Sequence, residues 1–280
     1  RDFLFGVQNS RKARDGQLAG LLDPRFMESK ARAENEFRER LKSRADLQGT
    51  LAAYDHIAQS VKALATQARR RALLEGGMGF ASESFGIART LLRAGDERPK
   101  PNGERLKEYA DAGKTSLELE LFSDKPIYED LETLTLTHSL TSLASELGSN
   151  DPLVRQVLNG QSPSERASEL VRGTKVREVA FRKQLYAGGA TAAAAAKDPM
   201  IELARLIDPE ARALRKAAEA EHETIVQAHA EIARAKVAVL GTSGYPDATF
   251  TLRLAFGTVK GYEEAGKTVP PFTTLAGLYQ

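Results

Sequence analysis

The sequence contains no cysteine, which excludes disulfides, zinc ribbons and thiol catalysis while leaving both cytoplasm and periplasm open. It has no apolar run near the roughly 18 residues that span a bilayer, so no membrane partner is expected. It also has little net charge: Lys+Arg 40 against Asp+Glu 38 leaves +2, which argues against a nucleic-acid partner. Histidine is scarce, with residues only at 56, 138, 222 and 229. A zinc-peptidase helix sets two histidines four apart, whereas His222 and His229 stand seven apart, about 10 Å along a helix. Neither a metal nor a cofactor is expected. The glycine-rich "EGGMGF" at 75–80 lacks the Gly-Lys-Ser/Thr ending of a phosphate loop. The opening "RDFLFG" has no initiator methionine and no signal-peptide pattern, and "TTLAGLYQ" at the other end has no evident stop, so the chain is expected to be a piece of a longer polypeptide.

What is present is helical periodicity. Asp23-Pro24 opens a helix to about Ser43, striped by Phe26, Lys30, Ala33, Phe37 and Leu41. Leu47, Leu51, Tyr54, Ile57, Val61 and Leu64 carry the next helix to Leu74, stopped by "EGGMG". "RPKPNG" at 98–103 ends another. Segments 104–122 and 127–147 are predicted as a helical pair, although "SLELELF" alternates well enough to resemble a strand. Short helices follow to Tyr186, and the alanine run "GGATAAAAAKDP" is predicted to pack closely rather than to act as a linker. From "DPEARAL" onward, Leu214, Ala218, Glu221, Ile225, Ala228, Ile232, Ala235 and Val239 form a coiled-coil-like seam, expected to meet an antiparallel helix of the same chain. After Gly241, Phe250, Leu252 and Leu254 alternate with Thr251, Arg253 and Ala255, which predicts one strand, followed by a return path. The fold class is therefore mainly α, a multi-helix bundle over 1–244 with one strand near the C-terminus in a second segment, 245–280.

Few residues suggest chemistry. "GTSGYP" resembles the glycine-flanked nucleophile of serine hydrolases but falls short of Gly-x-Ser-x-Gly. Gly241 is expected as a left-handed helix cap, with Ser243-Gly244 as a turn. Arg69-Arg70-Arg71 reads as a solvated helix face. No carboxylate stands in a sparse apolar setting that would raise its pKa. The stretch "FGVQNSRKARDGQLAGLLDP" is less easily explained. Gly6, Gly16 and Gly20 each cost a helix roughly 1 kcal/mol against alanine, and Asn9, Ala13, Gly16 and Gly20 share one face with almost no side-chain bulk. Something could approach that face closely. Taken alone, Asn9 would be a solvated helix residue.

Two stretches, "NSRKARDGQLAGL" and "YPDATFTLRLAFGTVKGYEEAG…PPFTTLAGLY", resemble the bacterial dipeptidyl-peptidases of the 7 and 11 type, serine peptidase family 46. The resemblance implies a chymotrypsin-like double β-barrel with a histidine, an aspartate and a serine, into which a large helical domain is inserted between aspartate and serine. This chain resembles that insertion. No catalytic residue then falls within it, and alone it should be inactive. In the "N-x-x-K-x-x-x-G-Q-L" register, Asn9 matches the family's asparagine that holds the free amino terminus of the peptide substrate. Val7 stands where some members carry tryptophan. The implied partners are an oligopeptide with a free N-terminus and the barrel of the same polypeptide, in the periplasm. An unpaired strand edge could in addition recruit a second copy, making a homodimer. The alternative is a helical protein-interaction module without peptidase activity.

Overall fold

Four helix starts in this sequence are written as Asp-Pro or Ser-Pro, and the computed structural model, which describes residues 2–241 and 256–272, shows why. Helix α1 (Asp2–Leu22) ends at Asp23, whose carboxylate accepts from the Arg25 backbone N–H at 3.0 Å and caps α2 (Pro24–Lys42). Asp151 caps α7 (Pro152–Leu158) through the N–H groups of Leu153 and Val154. Ser162 and Glu165 close a reciprocal capping box on α8 (Pro163–Gly173). Asp198, buried, accepts from Met200 and Ile201 at the head of α10 (Pro199–Leu240). In each case proline occupies a position whose N–H has no helical partner and the preceding side chain satisfies the donors that remain, a contribution of about 1 kcal/mol per cap. The other helices are α3 (Leu51–Leu74), α4 (Glu83–Glu97), α5 (Lys114–Leu121), α6 (Glu129–Leu147) and α9 (Val179–Ala195). Glycines at positive φ terminate several of them: Gly77 (φ 75), Gly148 (φ 87) and, as expected, Gly241 (φ 73).

The architecture is mainly α, and three expectations need correction. First, residues 102–113 are not α-helix but three 3₁₀ turns, leaving only Lys114–Leu121 helical. Side chains take backbone donors that a helix would use: Glu97 accepts from the Leu106 N–H at 2.9 Å and Asn102 from that of Asp111 at 2.8 Å. Second, the long helix begins at Pro199, not at "DPEARAL", and carries Pro209 in its interior. One ladder bond is lost there, but Ile207 and Ala211 on either side are fully buried in the core and hold the helix on course. Third, the C-terminal return path contains a hairpin, β1 (Tyr262–Glu264) paired antiparallel with β2 (Lys267–Val269). Ala265 (φ 50) and Gly266 (φ 75) make its two-residue turn, with both residues left-handed as a type I′ turn requires. The strand predicted over 250–255 and the Ser243-Gly244 turn lie outside the described residues.

Residues 1–239 form one compact unit and 240–280 a second. In the first, a large core centred on Phe85, Leu91, Leu140, Leu170 and Ile201 is complemented by a smaller cluster of Phe37, Leu41, Ala53, Ala228, Ile232 and Ala235. The smaller cluster is the predicted seam: α10 packs against α2 and α3 of the same chain, with the start of α3 beside the end of α10, hence antiparallel. The alanine run also packs as expected. Its helix α9 bends at Gly189 (φ 60, ψ −150) and lies so close to α4 that a Cβ on Gly95 would stand 2.7 Å from the Ala190 nitrogen.

Charges tie α3, α4 and α10 together inside this unit. The Arg93 guanidinium, 4% exposed, binds Asp208 at 2.6 Å and both oxygens of Glu75 at 2.9 and 2.5 Å. Arg212 reaches Asp208 at 2.5 Å and Glu97 at 2.6 Å, and Glu97 also accepts from Lys100 at 2.8 Å. Burial works against each charge, yet Arg93 is held above its ordinary value by its two carboxylates. Burial likewise opposes ionisation of Glu97, but Lys100, Arg212 and the Leu106 N–H outweigh it and lower the carboxyl to about 2. The Arg69–Arg71 run belongs to the same kind of construction and corrects the solvated-face expectation. Arg70 bridges Glu210 on α10 and Asp151 at the head of α7, the latter at 2.6 Å, while Arg69 meets Glu146 at 2.7 Å. A single arginine thereby pins three helices.

Removing Arg93 takes the shared partner from half-buried Glu75 and buried Asp208, which keep only Arg215 at 3.5 Å and Arg212 at 2.5 Å respectively, so Arg93→Met is expected to destabilise the chain by about 2–4 kcal/mol in urea unfolding. Glu97 ionises below its ordinary value of 4.5, so its contribution is complete above that pH and is lost as pH falls toward about 2. Glu97→Gln should be less stable near neutrality and should flatten the acid limb of stability against pH by up to about 3 kcal/mol. Gly95→Ala is expected to lower stability by about 1–3 kcal/mol despite the better helix former, because the obstruction is backbone rather than a movable side chain. A gain in thermal midpoint would contradict that packing.

Candidate functional site

Helix α1 is exposed along its described length, and its three glycines have open space around them: a Cβ on Gly6, Gly16 or Gly20 would meet nothing within 4 Å. The close approach that this small-residue face permits is thus not used by any described part of the chain. The helix also leaves apolar side chains uncovered, with Phe5 53%, Val7 51%, Leu18 56% and Leu22 71% exposed. Val7, Leu18 and Leu22 share one stripe of the helix, with Phe5 off it, an uncovered apolar face of the kind that meets another surface.

Asn9 sits on this helix, exposed, and its amide makes no side-chain hydrogen bond to another described residue. It is not sealed in the bundle. A shallow, open groove formed by α1 alone passes Gly6, Val7, Ser10, Arg11, Arg14 and Asp15. Val7 lies on it, whereas Asn9 does not line it and points about 160° around the helix from Val7, onto the face that carries Gly16 and Gly20. The groove's charges face each other along the helix, Arg11 standing 3.7 Å from Asp15, and both remain exposed. An amide exposed in this way can accept from a cation and donate to a carbonyl at once.

The four histidines are all exposed: His56 on α3, His138 on α6, His222 and His229 on α10. Ser243 lies outside the described residues. Some carboxylates are buried, but in polar settings. Glu132, 6% exposed on α6, accepts from the Ser82 hydroxyl at 2.7 Å and from the backbone of Glu83 and Ser84 at 2.9 Å each. It serves as a second cap on α4, so its lone pairs are already occupied and it is poorly placed to move a proton. Arg182, 2% exposed, donates to the carbonyls of Val176, Arg177, Leu121 and Ser123. Burial lowers its pKa, and the residue staples α9 to the end of α5. Neither pairing was legible beforehand, because the partners lie 50 to 60 residues apart with no local motif.

Among the described residues, no helix is long and apolar enough to cross a membrane. The family model described as Peptidase S46 matches residues 1–280, the whole of this sequence.

Proposed function

The chain belongs to the serine peptidase family S46, and from that premise we propose that it is the helical cap of a periplasmic dipeptidyl-peptidase. Its parent removes dipeptides from the amino ends of oligopeptides by acyl transfer through a serine carried on a double β-barrel outside this chain. In this reading the bundle closes one end of the cleft, and Asn9 accepts a hydrogen bond from the substrate's ammonium. A wall at that point converts an endopeptidase barrel into an exopeptidase, since a longer chain cannot pass it. The observation that carries the proposal is the state of α1: an exposed amide without a partner among the described residues, on a helix whose apolar side chains and glycine-lined face no described residue covers. The glycines at 16 and 20 on the same face of the helix leave room for a peptide.

The same uncovered helix suits docking of the barrel, which would bury Phe5, Leu18 and Leu22. This chain by itself is then expected to hydrolyse nothing. In the full-length protein, Asn9→Ala should lower kcat/KM toward dipeptidyl substrates by about 10- to 150-fold, the equivalent of a lost hydrogen bond to a charged group at roughly 1.5–3 kcal/mol. Kinetics within twofold of the wild type would remove Asn9 from the site. Release of dipeptides by the 280-residue chain alone would contradict the division of labour between cap and barrel.

A further inference from the structure

A second cavity, unrelated to α1, lies between α4 and the turns leading into α5. It measures about 390 Å³ and is lined by Gly86, Arg89 and Arg93 on one side and by Tyr109, Leu117 and Glu120 on the other. That volume falls in the range of small-molecule sites. Its unusual member is Arg89. The Arg89 guanidinium is half-buried and packs over the Phe85 ring at 5.6 Å, and one of its nitrogens donates to the carbonyls of Leu74 and Glu75 at 3.1 and 3.0 Å.

No carboxylate pairs with Arg89 among the described residues. The acidic groups around it are already engaged: Glu75 by Arg93, Asp208 by Arg93 and Arg212, Glu108 by Arg215 at 2.5 Å. Burial, reinforced by the neighbouring Arg93 charge, lowers the pKa of Arg89, which marks a cation whose charge the fold leaves under-compensated. Its remaining nitrogens, Nε and one Nη, have no hydrogen-bond partner among the described residues, and that pair is the edge with which an arginine grips a carboxylate bidentately. Burial pushes Tyr109 up to about 12, so it faces the cavity as a neutral phenol, and the Glu108 carboxylate that also lines this wall is taken by Arg215 at 2.5 Å. Farther out, Glu83 and Glu120 also line the cavity, exposed and without an ion pair among the described residues. The cavity is therefore polarised, with a cation inside and carboxylates at its mouth.

We propose that this cavity binds a small zwitterion of amino-acid or dipeptide size, its carboxylate on Arg89 and its ammonium toward Glu83 and Glu120. The apolar Ile87 and Leu117 would take an aliphatic side chain. The site does not depend on Asn9 or on the peptidase reading.

Calorimetric titration of the 280-residue chain with alanyl-leucine tests it. Saturable binding is expected, with the C-terminal amide and the N-acetyl derivative each at least about tenfold weaker. Inorganic phosphate is also expected to bind at least about tenfold more weakly. Arg89→Met should abolish binding. Gly86→Leu supplies a second variant that should fold at least as well as the wild type, because its Cβ meets nothing within 4 Å and leucine favours helix over glycine. Its side chain fills the cavity and should also abolish binding, whereas Asn9→Ala should leave it unchanged. Absence of binding, equal affinity for the amide, equal affinity for phosphate, or undiminished binding to Gly86→Leu would overturn the proposal. Loss of binding in Asn9→Ala alone would assign the dipeptide to α1 instead.

Discussion

The grip of Arg93 on Glu75 and Asp208 is the constraint on which the bundle rests. Hydrophobic burial can bring α3, α4 and α10 together, but it is non-directional and would tolerate sliding along 42 residues of α10. A guanidinium held by two carboxylates from two other elements does not tolerate it. Arg212 repeats the constraint one turn along α10 by meeting Asp208 and Glu97, and Arg70 repeats it with Glu210 and Asp151. The cost of taking these charges out of water is substantial, so they are weak as sources of net stability and strong as selectors of register. Carboxylates and guanidiniums that pair this closely leave few acidic groups free in the interior, which is why Arg89 stands out.

That fixed register gives the seam its partner. With the α3–α10 offset set by Arg70 at one end, Ala228, Ile232 and Ala235 come opposite Ala53, and the small side chains allow the helices to approach closely. Phe37 and Leu41 add α2 to the same cluster. From α2 the chain turns at the Asp23-Pro24 cap into α1, a helix with nothing of the described chain on its glycine-lined face. A rigid bundle that presents one exposed helix, apolar and partly stripped of side chains, is a structure prepared to receive another surface. In the family S46 reading those surfaces are the catalytic barrel and the peptide between the two.

Local signals in the sequence were sufficient for elements whose causes are local. The Asp-Pro and Ser-Pro caps, the positive-φ glycines after helices and the alternation of four and three in α10 place most helix ends and the smaller core cluster. Long-range pairing was not legible: Arg93 and Asp208 lie 115 positions apart, and a charged residue flanked by Leu92 and Ala94 reads as an ordinary helix surface. The turns at 102–113 were missed because Glu97 and Asn102, outside or at the edge of the segment, divert its donors. The 262–269 hairpin was missed because three-residue strands are too short for alternation to register, although Ala265-Gly266 carries the turn. At the site, periodicity exposed the anomalous face of α1, while the role proposed for Asn9 rests on the family resemblance, since an exposed asparagine has no pattern of its own.

The central claim is that Asn9 meets the amino terminus of a peptide. A crystal structure of the parent protein with a bound dipeptide tests it most directly. The account expects the Asn9 amide oxygen at about 2.8–3.1 Å from the ligand's ammonium nitrogen, with the glycine-lined face of α1 covered. A dipeptide whose ammonium is held by other groups, with Asn9 still facing solvent, would contradict it.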